Sequence, residues 1–193
     1  ALSKPQIVID IPVGTGRSLE YLKAVDCQAI GFDYTQEMLD EARKVMDNER
    51  HQLQQGNASD TGFADGKFDC LISLRFFHLF AKNERAPFAR EFRRITRPGG
   101  HAIISFTNGW YAGGINWMKR LLGINTVEFI YPQEISQLFP GWEIIAVRGN
   151  FLPKQWRLDA IPVIGSLLRT LNQHTPFNRL CWEVFYLLQK PKA

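Results

Sequence analysis

The sequence predicts an α/β fold, a doubly wound and mostly parallel sheet of seven strands. Two observations carry this. Between Ile7 and Phe106, five short runs rich in apolar and β-branched residues alternate with amphipathic stretches, the pattern of strands joined by right-handed helical crossovers. The first run passes straight through a two-glycine turn into a helix, the layout of a βαβ unit. Ligands of such sheets lie at the carboxyl ends of the strands, where strand order switches.

Ile7-Val8-Ile9-Asp10-Ile11 opens the chain's structure, and its shortness and β-branched content decide for strand over helix. Pro12-Val13-Gly14-Thr15-Gly16 then turns the backbone, and two residues without Cβ allow a sharp turn close to a ligand. Leu19, Leu22 and Val25 form the apolar face of the next helix, whose free N–H groups suit a polar or anionic ligand. A lone G-x-G turn is weakly specific, because turns need glycine anyway. Gln28–Asp33 is the second strand. Asp33 follows Gly16 by 33 − 16 = 17 residues, which brings a carboxylate to the strand tip beside the turn, where it can accept two ribose hydroxyls. Thr35 caps a helix with the apolar stripe Met38, Leu39, Ala42, Val45 and Met46. His51–Gly56 is a third strand, and Asn57–Lys67 a turn-rich loop. Phe68–Leu74 is apolar at most places, as strands buried on both faces are. Arg75–Phe80 leaves it as a loop or short helix. An arginine-rich helix runs to about Thr96, Arg97-Pro98-Gly99-Gly100 stops it, and His101–Phe106 is the fifth strand. Pro132-Gln133-Glu134-Ile135 starts a helix, and Trp142–Arg148 and Trp182–Leu188 are strands six and seven.

A length of 193 residues suits a single domain over 1–193, with 108–141 and 151–180 as insertions that cover the substrate side. With 45% hydrophobic and 22% charged residues, the chain is composed as an ordinary globular protein. Apolar stretches are interrupted before membrane-span length and no signal-peptide core is visible. A cytoplasmic protein without a transmembrane segment is expected, with peripheral membrane contact left open. Cys27, Cys70 and Cys181 stand far apart and in no metal-ligand spacing, so reduced, buried thiols and no metal site are expected. The net charge of +4 permits an anionic partner. Much of it sits at Arg85, Arg90, Arg93, Arg94 and Arg97, opposite Phe88, Phe92 and Ile95, which favours a solvated helix face over a nucleic-acid surface. All five tryptophans follow residue 109, and either pack the late elements or wall an aromatic, apolar substrate pocket.

In order and spacing, these pieces resemble a class I S-adenosylmethionine-dependent methyltransferase. Ile7–Gly16 looks like the family's first motif, with Gly14-Thr15-Gly16 as its core, and Asp33 falls on the ribose-binding carboxylate. Gly56-Asn57-Ala58-Ser59, with Phe63 and Lys67-Phe68-Asp69 after it, is similar to the adenine-side motif and the strand that follows. Ser73–Leu79 resembles the segment facing the methionine end of the cofactor, and Arg97–Gly100 the turn before the fifth strand. The last strand fits the family's antiparallel edge, which completes a Rossmann-like sheet. The resemblance implies S-adenosyl-L-methionine as cofactor, with Asp10, Pro12, Gly14, Gly16, Asp33, Tyr34, Met38, Asn57, Ala58, Ser73, Leu74 and Arg75 as its binding residues. It implies methyl transfer to a small, lipophilic or aromatic acceptor; an RNA or protein methyltransferase, or a non-catalytic cofactor-binding protein, is the alternative. Pro12 replaces the family's usual first glycine and removes an N–H donor. Asn57 replaces the usual aspartate, and its carbonyl can still accept from an adenine amino group. The family usually carries covering helices ahead of the first strand, a task expected here of the late insertions.

A sulfonium is an activated methyl donor, so positioning and exclusion of water supply most of the acceleration. A base is needed only where the acceptor must lose a proton. His78, just past the fourth strand, is the candidate, since imidazole titrates near neutral pH. A histidine between Phe77 and Leu79 equally suits a hydrogen-bonded structural role.

Overall fold

A computed structural model of the chain describes residues 5–46, 50–109, 121–122, 130–150 and 181–192. Trp110, Tyr111, Trp117, Lys119, Arg120, the helix expected over 164–171 and most of both insertions lie outside the described residues.

Seven strands form one sheet: β1 Ile7–Asp10, β2 Gln28–Asp33, β3 His51–Gln55, β4 Phe68–Leu74, β5 Thr96–Thr107, β6 Glu143–Asn150 and β7 Glu183–Gln189. Their spatial order is β3-β2-β1-β4-β5-β7-β6. The pairings among β1 to β5 are parallel, and β7 runs antiparallel to both β5 and β6. Strand order therefore reverses between β1 and β4, and the antiparallel last strand is where the sequence places it. The helices are α1 Arg17–Leu22, α2 Gln36–Val45, α3 Arg85–Ile95 and α4 Pro132–Leu138, with single 3₁₀ turns at Phe77–Leu79 and Lys82–Glu84. No described helix is long and apolar enough to cross a membrane.

Strand alternation sorts the core into two layers. Val8, Ala29, Cys70 and Ile72 face α1 and α2 through Leu19 and Leu39. Ile9, Leu71, Ile104, Phe106 and Val184 face the other way and pack on Phe92 and Ile95 of α3. Asp10, two residues after Val8, thus points to the α1–α2 side and is 1% exposed. The segment after β4 is fixed by aromatic packing: the Phe77 ring lies 5.6 Å from Phe92 and 6.1 Å from Phe139.

Two details depart from the sequence expectations. β5 begins at Thr96, directly after α3, and not at His101. Thr96 pairs with Phe68 and His101 with Cys70, so Arg97–Gly100 loop out as an irregularity within the strand instead of preceding it. Gly99 supplies a left-handed φ of 72° there, and Asp69 opposite holds the loop through Arg97 while taking the N–H groups of Gln6 and Ile7. The arginine-rich helix is also not simply solvated. Arg85 is 1% exposed, donates to the Phe77 and Phe80 carbonyls, and pairs with Glu134 of α4 at 2.7 Å. Arg94 joins Glu91 and Asp65, and Arg93 donates to the Leu138 carbonyl. Arg90 remains exposed.

Candidate functional site

A cavity of about 550 Å³ opens at the reversal between β1 and β4. Its near wall is the turn after β1, including Asp10, Pro12 and Gly14, and its side is Leu74 and Arg75 at the end of β4. Its far wall is Asn150, Trp182, Glu183 and Phe185. The register explains the far wall: Glu183 pairs with Thr107 at the carboxyl end of β5 and with Asn150 at the end of β6.

The turn is held by its neighbours. Ile11 N–H donates to the Ile72 carbonyl at 2.8 Å, Val13 N–H to Phe32 at 2.9 Å, and Gly16 N–H to Val13 at 3.0 Å. The Ile11–Pro12 peptide is cis. Asp33 Oδ2 accepts the Gly14 N–H at 2.9 Å, and Oδ1 accepts the Thr35 N–H at 3.1 Å. Gly14 has φ 52°, and a Cβ there would meet nothing within 4 Å, so this residue opens onto free space. Gly16, with φ 79°, serves packing: its Cβ would lie 2.6 Å from Val45 Cγ2 and 3.0 Å from Ala42 Cα. One glycine faces the cavity and the other lets α1 meet α2.

Burial pushes the Asp10 carboxyl up to about 7; the Ser18 hydroxyl donates to it and works the other way, while the charge of Asp33 adds to the rise. Asp10 forms no ion pair with a described residue, and a buried carboxylate beside a glycine turn fits a positively charged nucleoside such as S-adenosylmethionine. Ser73, fully buried near the end of β4, has no hydrogen-bond partner for its hydroxyl among the described residues. Arg75 stands at φ 55°, a conformation that non-glycine residues hold only when the surroundings enforce it. Here its N–H donates to the Ser105 carbonyl at 2.9 Å and meets the Ser105 hydroxyl oxygen at 3.2 Å. Ser105 Oγ in turn donates to Glu183 Oε1 at 2.7 Å.

Of the residues singled out from the sequence, Asp10, Pro12, Gly14, Leu74 and Arg75 line the cavity, and Asp33 joins it through Gly14. Tyr34 and Met38 are exposed beyond Asp33, outside the cavity. Asn57 Oδ1 accepts the N–H and hydroxyl of Ser59, both at 2.9 Å, so it already shapes its own loop; Ala58 packs against the core. His78 is buried and absent from the cavity wall, and burial, reinforced by the positive charges of Arg75 and Arg85, lowers it to about 4. Sequence reading missed Glu183, Phe185 and Asn150. A glutamate opening an otherwise apolar strand was the one available signal.

Residues 9–104 match the family model described as a methyltransferase domain. A tRNA (carboxymethyluridine(34)-5-O)-methyltransferase of Mus musculus, ALKBH8, is 35% identical over 105 residues, 54% of this chain and 15% of that protein. The chain thus spans a small fraction of the length of this curated relative. A S-adenosylmethionine-dependent methyltransferase from Methanosarcina mazei superposes with a TM-score of 0.70 at 18% identity, covering 100% of this chain and 95% of that one. A chain of the Haloferax volcanii complex between the Trm112 methyltransferase activator and a methyltransferase does so with a TM-score of 0.69 at 18% identity, over 100% and 85%. These structural likenesses bear on the fold.

Proposed function

We propose that the chain, whose residues 9–104 match a methyltransferase domain, is a class I S-adenosylmethionine-dependent methyltransferase that methylates a small acceptor with an aromatic or lipophilic body. The observation that supports this acceptor is the far wall of the cavity, where Trp182 and Phe185 face the cofactor turn across about 550 Å³. S-adenosylmethionine supplies an activated methyl group. The chain's residues do the rest: Asp33 accepts ribose hydroxyls, Asp10 meets the cationic end of the cofactor, and Gly14 gives it close approach. Ser73, Leu74 and Arg75 border the methionine side, and Tyr34, Met38, Asn57 and Ala58 frame the open adenine side. Residues 108–141 and 151–180, expected from the sequence to cover the acceptor, lie mostly outside the described residues. Cys27, Cys70 and Cys181 are buried and not joined in disulfides, which suits a reducing, cytoplasmic setting.

The test is calorimetry with S-adenosylmethionine, followed by methyl-release assays over aromatic and aliphatic acceptors. A second reading has its own observation, the 35% identity to a tRNA methyltransferase. Against it, Arg85, Arg93 and Arg94 of the basic helix are bound to protein groups. Methyl transfer to tRNA carrying carboxymethyluridine at position 34, with none to the small acceptors, would decide for it.

A further inference from the structure

The far wall contains a carboxylate that cofactor binding does not use. Glu183 opens β7, flanked by β5 on one side and β6 on the other, in a class of position where glutamate is depleted. Val184, Tyr186 and Leu188 turn to the buried core, so Glu183 and Phe185 turn to the opposite face, the one that carries Asp10. Glu183 pairs with no cation among the described residues, so the carboxylate has another reason to be there. One oxygen is fixed by the fully buried Ser105 hydroxyl at 2.7 Å. The other accepts no hydrogen bond from a described residue. Ser105 also holds the N–H of Arg75, the residue kept at a left-handed φ at the end of β4. A single hydroxyl therefore ties the strained exit of β4 to the acceptor-side carboxylate, and strain of this kind concentrates at functional sites.

We propose that Glu183 is the general base for a hydroxyl acceptor on an aromatic or apolar body, so that the reaction is O-methylation; this rests on the small-acceptor reading above. Glu183 takes the hydroxyl proton while the hydroxyl oxygen bonds to the donated methyl carbon. The carbon–sulfur bond breaks, and its electron pair stays on sulfur, which becomes a neutral thioether. Trp182 and Phe185 hold the acceptor's body beside the carboxylate. A hydroxyl gains most from such a base. An aniline keeps its lone pair at neutral pH and needs no base before it attacks, and a thiol ionises unaided near neutral pH.

Matched phenols, anilines and thiophenols with a common alkyl chain test this, against the unaltered protein and Glu183→Gln. Phenols are expected to be methylated in preference. Glu183→Gln is expected to lower their kcat by about 100-fold or more while S-adenosylmethionine affinity stays within twofold. With S-adenosylhomocysteine bound, calorimetric affinity for the phenol should fall about tenfold in Glu183→Gln. Affinity for the corresponding methyl ether should not change. Should Glu183→Gln fail to fold, Ser105→Ala, which frees the carboxylate from its holder, is expected to reduce kcat on phenols with cofactor affinity unchanged. Equal turnover of phenols by the unaltered protein and Glu183→Gln, or by it and Ser105→Ala, overturns the proposal and leaves the small-acceptor reading standing. Preference for anilines or thiophenols does the same. Cofactor binding with transfer to tRNA alone overturns both.

Discussion

Gly14 and Gly16 stand two residues apart in one turn and have opposite duties. Valine at 14 would enter the free space that the turn borders, at a φ of 52° where a β-branched residue is strained. Gly14→Val is expected to abolish S-adenosylmethionine binding in calorimetry at a cost in stability of only about 1–2 kcal/mol. Alanine at 16 would press on Val45 and Ala42 at a φ of 79°. Gly16→Ala is therefore expected to cost roughly 2–4 kcal/mol and show as a lowered Tm. If both variants fold normally and bind normally, the turn does not touch the ligand. Asp33 adds a third residue-level test. Its two oxygens hold the Gly14 and Thr35 N–H groups and keep lone pairs for ribose hydroxyls. Asp33→Ala should weaken cofactor binding by at least 100-fold, measured by titration; unchanged affinity would remove the ribose assignment.

At the scale of elements, Glu134 decides how α3, α4 and the turn after β4 sit together. Its Oε1 caps α4 by accepting the Tyr131 N–H at 3.2 Å, and its Oε2 takes Arg85 at 2.7 Å. Arg85 is buried, so removing this carboxylate takes the opposite charge of the pair out of a low-dielectric site, while the bonds from Arg85 to the Phe77 and Phe80 carbonyls stay. Glu134→Ala is expected to lower stability by about 3–5 kcal/mol in a denaturant melt, more than any exposed ion pair here would. A loss under 1 kcal/mol would mean that the rest of its surroundings hold the Arg85 charge without Glu134. This pair also marks the limit of sequence reading. The strands were legible because β-branched runs of parallel strands stand out locally, and Asp10, Gly14 and Asp33 were legible because strand ends and glycine turns are local features. The buried role of Arg85 was not, since on a helix wheel it belongs to a basic face and its partner lies 49 residues away. The start of β5 was hidden because Arg97-Pro98-Gly99-Gly100 has the chemistry of a stop, and only pairing to β4 turns it into an interruption within a strand. Glu183 was hidden for the same reason, as its meeting with Ser105 spans 78 residues.

At the scale of the whole molecule, the site charges stability with a pH dependence that the fold alone would not have. Asp10 titrates near 7 when folded and near 3.8 when unfolded, because burial disfavours its charge. Between those values the folded chain keeps a proton that the unfolded chain has lost. The folded state then binds more protons, so stability falls as pH rises. This contribution is complete below about 3.8 and gone once pH passes 7. Asp10→Asn keeps an oxygen for the Ser18 hydroxyl and carries no charge at any pH. Relative to the unaltered protein, Asp10→Asn should gain stability from pH 5 to about pH 7 in urea melts and level off above that. Cofactor reverses the preference, since a cation beside Asp10 favours the carboxylate and expels the proton. Affinity for S-adenosylmethionine should therefore tighten from pH 6 to pH 8, by at most about tenfold for each pH step of one. Asp10→Asn should bind more weakly and lose that slope. A slope that survives in Asp10→Asn would assign the proton to another group and leave Asp10 as a structural partner of Ser18.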